Sequence, residues 1–193
     1  MVATLNVRGL RTSRVDVIEV LRSRALDVLV LTETKLTKQS KGRAYQWLAN
    51  LGYKQYHCVA THRDIGAAGV SILVRKTLTD WGLVNQVNLP DELGGYICGV
   101  QIRAPTSVPL EVIGVYAPSS HTGASKIRAL IYEEIQKRTT MASGEGQAYH
   151  VMVAGDFNAT LLATDRQEGK TEPIDRSYRE AVSACGLLPL PEM

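Results

Sequence analysis

The chain has 193 residues, 45% of them hydrophobic and 21% charged, with a net charge of +3. That is enough chain for one domain with a real core, and the composition is that of an ordinary globular protein rather than a disordered one. Three widely spaced cysteines, Cys58, Cys98 and Cys185, form no CxxC and argue against a disulfide framework or a zinc site. No apolar run approaches the roughly 18 residues of a membrane-spanning helix. The N-terminus "MVATLNVRGL" has no basic stretch followed by a long apolar one. The expectation is therefore a protein of the nucleus or cytoplasm that is not secreted. The mildly basic balance (pI near 8.8) suits a polyanionic partner without requiring one.

In chain order, "VATLNV" (2–7) reads as a strand closed by Arg8-Gly9. Apolar residues at near-helical spacing predict a helix over 13–25, with Ser13 as N-cap. "DVLVLTET" (27–34) is an apolar run ending in polar residues. The three pieces make a βαβ unit with parallel, buried strands. A second helix is expected over 42–53, stopping at Gly52. Strands follow at 53–60, 68–75, 78–89, 96–103 and 110–116, separated by the turn signals "DIGAAG", "PDELGG" and "APTSVP" and read as antiparallel meanders. A helix at 123–140, a strand at 150–156 and a helix at 174–185 complete the chain. The pattern predicts a single layered α/β domain over 1–193, two sheets face to face with helices outside.

Several strands end in polar groups that a core strand has no packing reason to carry. These are Asn6, Glu33, Tyr116, and Asp156 with Asn158 in "VAGDFNA". Strand C-terminal ends are where open α/β sheets bind ligands. Side by side, these residues would make an oxygen-rich pocket suited to Mg²⁺ or Mn²⁺. There a cation on Glu33 would neutralise a phosphate oxygen, Asp156 would orient or deprotonate a water, and Asn158 would donate to phosphoryl oxygens. Each residue alone has a plainer reading. Glu33 could be a solvated strand end, "GDFN" an Asx-turn or helix cap, Asn6 a turn former, and Tyr116-Ala-Pro a strand exit. Their co-occurrence in order carries the functional reading.

The stretches "TLNVRGL" (4–10), "LVLTETKL" (29–36), "GVSILVRKTL" (69–78), "VIGVYAPSS" (112–120) and "VMVAGDFNATLLATDR" (151–166) resemble the endonuclease/exonuclease/phosphatase superfamily. The wording is most similar to endonuclease domains of LINE-type (non-LTR) retrotransposons. The resemblance implies a four-layered α/β sandwich and divalent-metal-dependent phosphoester hydrolysis. It implies that Glu33 binds the metal, helped by Asn6. It further implies that Tyr116 contacts the scissile phosphate, that Asp156 orients or activates the water, and that Asn158 stabilises developing charge. Asp165 and Arg166 match a DNA-facing "TDR" segment. Arg8, Arg11, Arg14, Lys35, Lys38, Lys41 and Arg43 gather near the first two strand ends, where they could contact DNA phosphates or be scattered surface charge; Arg8 and Lys35 are the substrate-binding candidates among them.

Two features of that pattern, a "Ser-x-Ile-Asp" segment and a terminal Ser-Asp-His, have no counterpart before Met193. The expectation is thus a domain lacking its last strands, with an exposed strand edge and a tendency to aggregate. It would be inactive alone or completed by a C-terminal segment or reverse transcriptase of a parent polyprotein. Asp175 in "PIDRS" falls too early to be the absent Asp. Of the four histidines, His57 reads as structural, His150 starts a strand at the far end from Asp156, His62 lies in a loop, and His121 is nearest the pocket. The leading expectation is a DNA strand-nicking enzyme. A phosphomonoesterase or lipid phosphodiesterase of the same superfamily is the alternative, as is a non-catalytic remnant that binds nucleic acid or protein.

Overall fold

The computed structural model describes residues 1–37, 41–58, 68–103, 105, 107–119, 122–144, 148–165 and 172–189. The chain forms two compact units, one of Met1–Tyr116 with Tyr149–Asp156 and one of Ala117–Ala148 with Phe157–Met193.

The first unit holds two mixed four-stranded sheets. One contains β1 (Val2–Asn6), β2 (Val28–Thr32), β3 (Tyr53–Cys58) and β4 (Val70–Arg75), in the order β1-β2-β4-β3. β1 and β2 are parallel, in register from Val2–Val28 to Asn6–Thr32, and α1 (Arg14–Ser23) makes the crossover. This is the βαβ unit expected from the sequence. β4 runs antiparallel to both β2 and β3. The other sheet contains β5 (Val84–Gln86), β6 (Ile97–Ile102), β7 (Leu110–Tyr116) and β8 (His150–Asp156) in sequence order. Its first three strands form an antiparallel meander, and β8 returns parallel to β7.

Strand β2 is buried along its whole length because both of its faces are covered. On one side Leu29, Leu31 and Leu73 pack with Val17, Leu21, Ala44 and Leu48 of α1 and α2 (Lys41–Asn50). On the other, Val28, Val30, Val70 and Ile72 meet Cys98, Val100 and Val112 of the second sheet. Each such apolar side chain contributes about 1.5–3 kcal/mol when fully buried. The sheets approach closely at Gly114, where an added Cβ would lie 2.9 Å from methyls of Val30 and Val70.

Two local expectations are corrected. The segment 78–89, expected as one strand, instead ends a short helix, α3 (Lys76–Asp80), turns at Trp81-Gly82, and pairs only over Val84–Gln86. Its apolar residues Leu78, Trp81, Leu83, Val84, Val87 and Leu89 do not alternate, and Gly82 takes φ 69°, a reversal that other residues resist. Ser13 precedes α1 but does not cap it. Its Oγ donates to the Val7 carbonyl at 2.7 Å and fastens the helix start to the end of β1.

The second unit is built on α4 (Ala124–Ala142) and α5 (Pro173–Ala184). Pro173 starts α5, as a residue lacking the first orphan N–H should. Asp175 is fully buried. One of its oxygens accepts the Glu172 N–H in a capping box and the other accepts the Thr160 N–H, both at 2.8 Å. Phe157 stacks on Tyr178 with centroids 4.6 Å apart. No helix is long and apolar enough to cross a membrane among the described residues.

Candidate active site

In the first unit, both sheets carry a parallel strand pair, and the C-terminal ends of those pairs meet. β1 ends on Asn6, Glu33 directly follows β2, and Tyr116 and Asp156 are register partners at the ends of β7 and β8. The Asn6 carboxamide joins the sheets. Its Nδ2 donates to Glu33 Oε1 at 2.8 Å and to Asp156 Oδ2 at 2.7 Å. Its Oδ1 accepts the Arg8 N–H at 3.1 Å, which fixes the amide's orientation. One amide thus holds two carboxylates that would otherwise repel each other.

Tyr116 is buried, and its phenol titrates above the ordinary value of 10.0. Burial is the main cause, and the negative charges of Glu33 and Asp156 add to it. The phenol therefore keeps its proton and can donate a hydrogen bond at any neutral pH.

The backbone at the strand exits is unusual. The described residues other than glycine with positive φ are Arg8 (46°), Glu33 (52°), Lys35 (52°) and Asn158 (50°). All four are residues the sequence nominated for function. Backbone strain of this kind is held in place by surrounding structure and clusters at functional sites. Gly155 serves the same geometry. It has φ 152°, and a Cβ there would sit 1.9 Å from the Val115 carbonyl oxygen, so β8 can lie against β7 only with glycine at this position.

The structure thus brings Asn6, Glu33, Tyr116 and Asp156 together, with Arg8 and Lys35 two residues beyond Asn6 and Glu33. Asn158 lies in the second unit, where its Nδ2 donates to the Ala117 carbonyl at 2.9 Å. Asp165 lies in a short turn and accepts the Leu162 N–H at 3.2 Å. Arg166, Lys38, His62 and His121 lie outside the described residues. His57 is a core residue, its Nδ1 2.7 Å from Ser71 Oγ and 3.0 Å from the Val70 carbonyl. His150 opens β8, at the end opposite Asp156.

The donor set fits a hard cation. Glu33 and Asp156 present carboxylate oxygens to the same amide nitrogen, so the two are close neighbours. No cluster of three or more His, Cys, Asp or Glu suited to a metal occurs among the described residues. Mg²⁺ is commonly held by one or two carboxylates, with waters and substrate phosphate completing its shell.

Beside these residues runs a groove of about 760 Å³, lined in part by Arg8, Arg11, Arg14, Lys35, Arg43 and Trp47. Sequence reasoning does not single out Trp47. The signal for it is its spacing from Arg43, four residues along one helix and hence on the same face.

Fold and site together define an α/β protein with an oxygen-donor cluster where two parallel strand pairs end. The chain belongs to the Endonuclease/Exonuclease/phosphatase family, whose model matches residues 3–182. Among curated proteins, none matches. Among solved structures, the chain is similar to the AP endonuclease LMAP from Leishmania major, with 21% identity and a TM-score of 0.69 over 94% of this chain and 65% of that one. It is also similar to the 3′ phosphatase NExo from Neisseria bound to product DNA hairpin, with 19% identity and a TM-score of 0.70 over 94% and 69%. A third likeness is to the endonuclease domain of TRAS1, a telomere-specific non-LTR retrotransposon, with 15% identity and a TM-score of 0.60 over 98% and 74%. At these identities the likenesses establish the fold, and the chain spans about two thirds of the length of the LMAP structure.

Proposed function

We propose that this protein hydrolyses phosphodiester bonds of DNA with a divalent cation, nicking one strand to leave a 3′-hydroxyl. The observation that carries the reading is the Asn6 amide, bonded to Glu33 and Asp156 from two different sheets with the protonated Tyr116 beside them. Family membership supports it, as does likeness to solved nucleases.

In this reading Glu33, assisted by Asn6, would hold Mg²⁺ or Mn²⁺, which would supply charge neutralisation for the phosphate. The Asp156 carboxylate accepts a hydrogen bond from the attacking water and aligns it with phosphorus. The Tyr116 hydroxyl donates to a non-bridging oxygen as negative charge builds there. Water adds to phosphorus and gives a proton to the Asp156 carboxylate, the bond to the 3′ oxygen breaks, and the departing 3′ alkoxide takes a proton from solvent water. The products are a 5′-phosphate and a 3′-hydroxyl. Arg8 and Lys35 neutralise phosphates on either side.

Within that class we place the protein with the non-LTR retrotransposon endonucleases. The wording of its five motifs and its likeness to TRAS1 support this. The nicked 3′ end would then prime an associated reverse transcriptase, inside the cell where the target DNA lies. A second reading is a phosphomonoesterase, favoured by the likeness to a 3′ phosphatase.

Plasmid nicking in Mg²⁺ tests the proposal. Supercoiled DNA should convert to open circles, and Glu33→Ala and Asp156→Ala should each slow this by roughly a hundredfold or more. Nicking at the parent rate in either variant sinks the assignment. Release of phosphate from a 3′-phosphorylated oligonucleotide without nicking establishes the phosphatase instead.

A further inference from the structure

The groove formed by the segments that follow β1 and β2 and by α2 has a composition that the hydrolytic reading uses only in Arg8 and Lys35. Among the described residues, five cations line it, Arg8, Arg11, Arg14, Lys35 and Arg43, and no Asp or Glu does. Among the described residues none of the five is held by a carboxylate. Such a concentration of like charge is unfavourable unless an anion joins it. The groove also holds an aromatic ring. Trp47 is half-buried against the core beneath α1 and α2, and the Arg14 guanidinium lies 5.3 Å from its ring centroid. That is a cation–π contact between an exposed arginine and a platform that could equally take another flat group. Cations along a groove with an aromatic platform are the elements by which proteins hold unpaired nucleic acid. Duplex DNA, whose bases are stacked inside, could satisfy the cations but leave the ring unused.

We infer that this groove binds an unpaired nucleotide next to the scissile site, its base stacking on Trp47 in place of the Arg14 guanidinium, which then pairs with the neighbouring phosphate. The groove opens beside the site, since Arg8 follows Asn6 and Lys35 follows Glu33 by two residues each. The preferred substrate is therefore a duplex with a single-stranded flank, bound more tightly than the unbroken duplex that the enzyme also nicks. This deepens the reading of the protein as a DNA-cutting enzyme and rests on it, but binding can be measured apart from cleavage.

The test is binding in EDTA, where no hydrolysis occurs, of a blunt duplex and of one with a thymidine overhang. The parent should bind the overhang form about tenfold more tightly, and Trp47→Leu should bring the two within about twofold. An overhang preference unchanged in Trp47→Leu overturns the groove assignment. A second arm does not depend on that variant folding. The chain has two tryptophans, and Trp81 is 72% exposed. In Trp81→Phe, emission comes from Trp47 alone and should be quenched saturably by oligo(dT). Emission that does not respond overturns the proposal. Quenching by deoxythymidine monophosphate at equally low concentration would make the groove a mononucleotide site and overturn the strand reading. The two proposals fail separately. Overhang preference that depends on Trp47 without any nicking upholds the groove and refutes hydrolysis. Nicking by a parent whose overhang preference survives Trp47→Leu does the reverse.

Discussion

Glu33 combines a side chain that we propose holds the cation with a backbone conformation that disfavours any side chain. Its φ of 52° costs a non-glycine residue about 1–2 kcal/mol. What holds it there is local. The Thr34 N–H donates to the Gly69 carbonyl at 3.0 Å, and the carboxylate is tied to Asn6. Two substitutions separate these contributions. Glu33→Ala removes the carboxylate and keeps the strain, whereas Glu33→Gly removes both. Glycine's larger unfolded-state entropy takes back about 0.5–1 kcal/mol. Glu33→Gly should therefore be the more stable of the two variants by about 1 kcal/mol in urea unfolding. Equal stability would show that the backbone is not strained there. The nominated residues were legible because apolar runs ending in Asn, Glu, Tyr and Asp break the pattern of core strands. The left-handed backbone was not legible, because Glu, Lys and Arg carry no local preference for it and tertiary contacts impose it.

At the level of elements, the site depends on β7 and β8 keeping a register that sets Tyr116 opposite Asp156. Gly155 is the tightest point of that pair. Gly155→Ala would drive a methyl into the Val115 carbonyl at a φ few residues other than glycine adopt. The pair must shift or separate, at a cost on the order of 3 kcal/mol or more. We expect the variant to unfold at clearly lower urea and to lose the nicking proposed for the parent. Parent-like stability would mean that the strands are not so closely apposed. The β7–β8 strands were readable from continuous apolar runs bounded by turns. The segment 78–89 was not, because six apolar residues within twelve fit a strand by composition while their spacing fits none. Only Gly82 marks where helix gives way to strand. The pairing order was legible only in part. The βαβ unit dictates that β1 and β2 are parallel, but nothing local says that β4 inserts between β2 and β3.

Across the whole molecule, burial acts on tyrosine in a single direction. Tyr45, Tyr53 and Tyr116 in the first unit, and Tyr132 and Tyr178 in the second, all titrate above 10.0, with burial the largest cause in each. Tyr132 is pushed up to about 12. The unfolded chain begins to lose these phenolic protons near 10, while the folded chain keeps them. The native state therefore binds more protons than the unfolded state above that pH, and stability falls as pH rises. Below pH 10 the contribution is complete, and for Tyr132 it is lost between 10 and about 12. Urea unfolding at about pH 8, 9 and 11 should give similar midpoints at the first two and a clearly lower one at the third. Tyr132→Phe should reduce that alkaline loss. Its hydroxyl has no hydrogen-bond partner among the described residues, so the substitution should cost little at neutral pH. A midpoint at about pH 11 equal to that at about pH 8 would mean that the phenols ionise as easily folded as unfolded. Tyr116 would keep its proton at neutral pH even then, because an ordinary phenol titrates near 10.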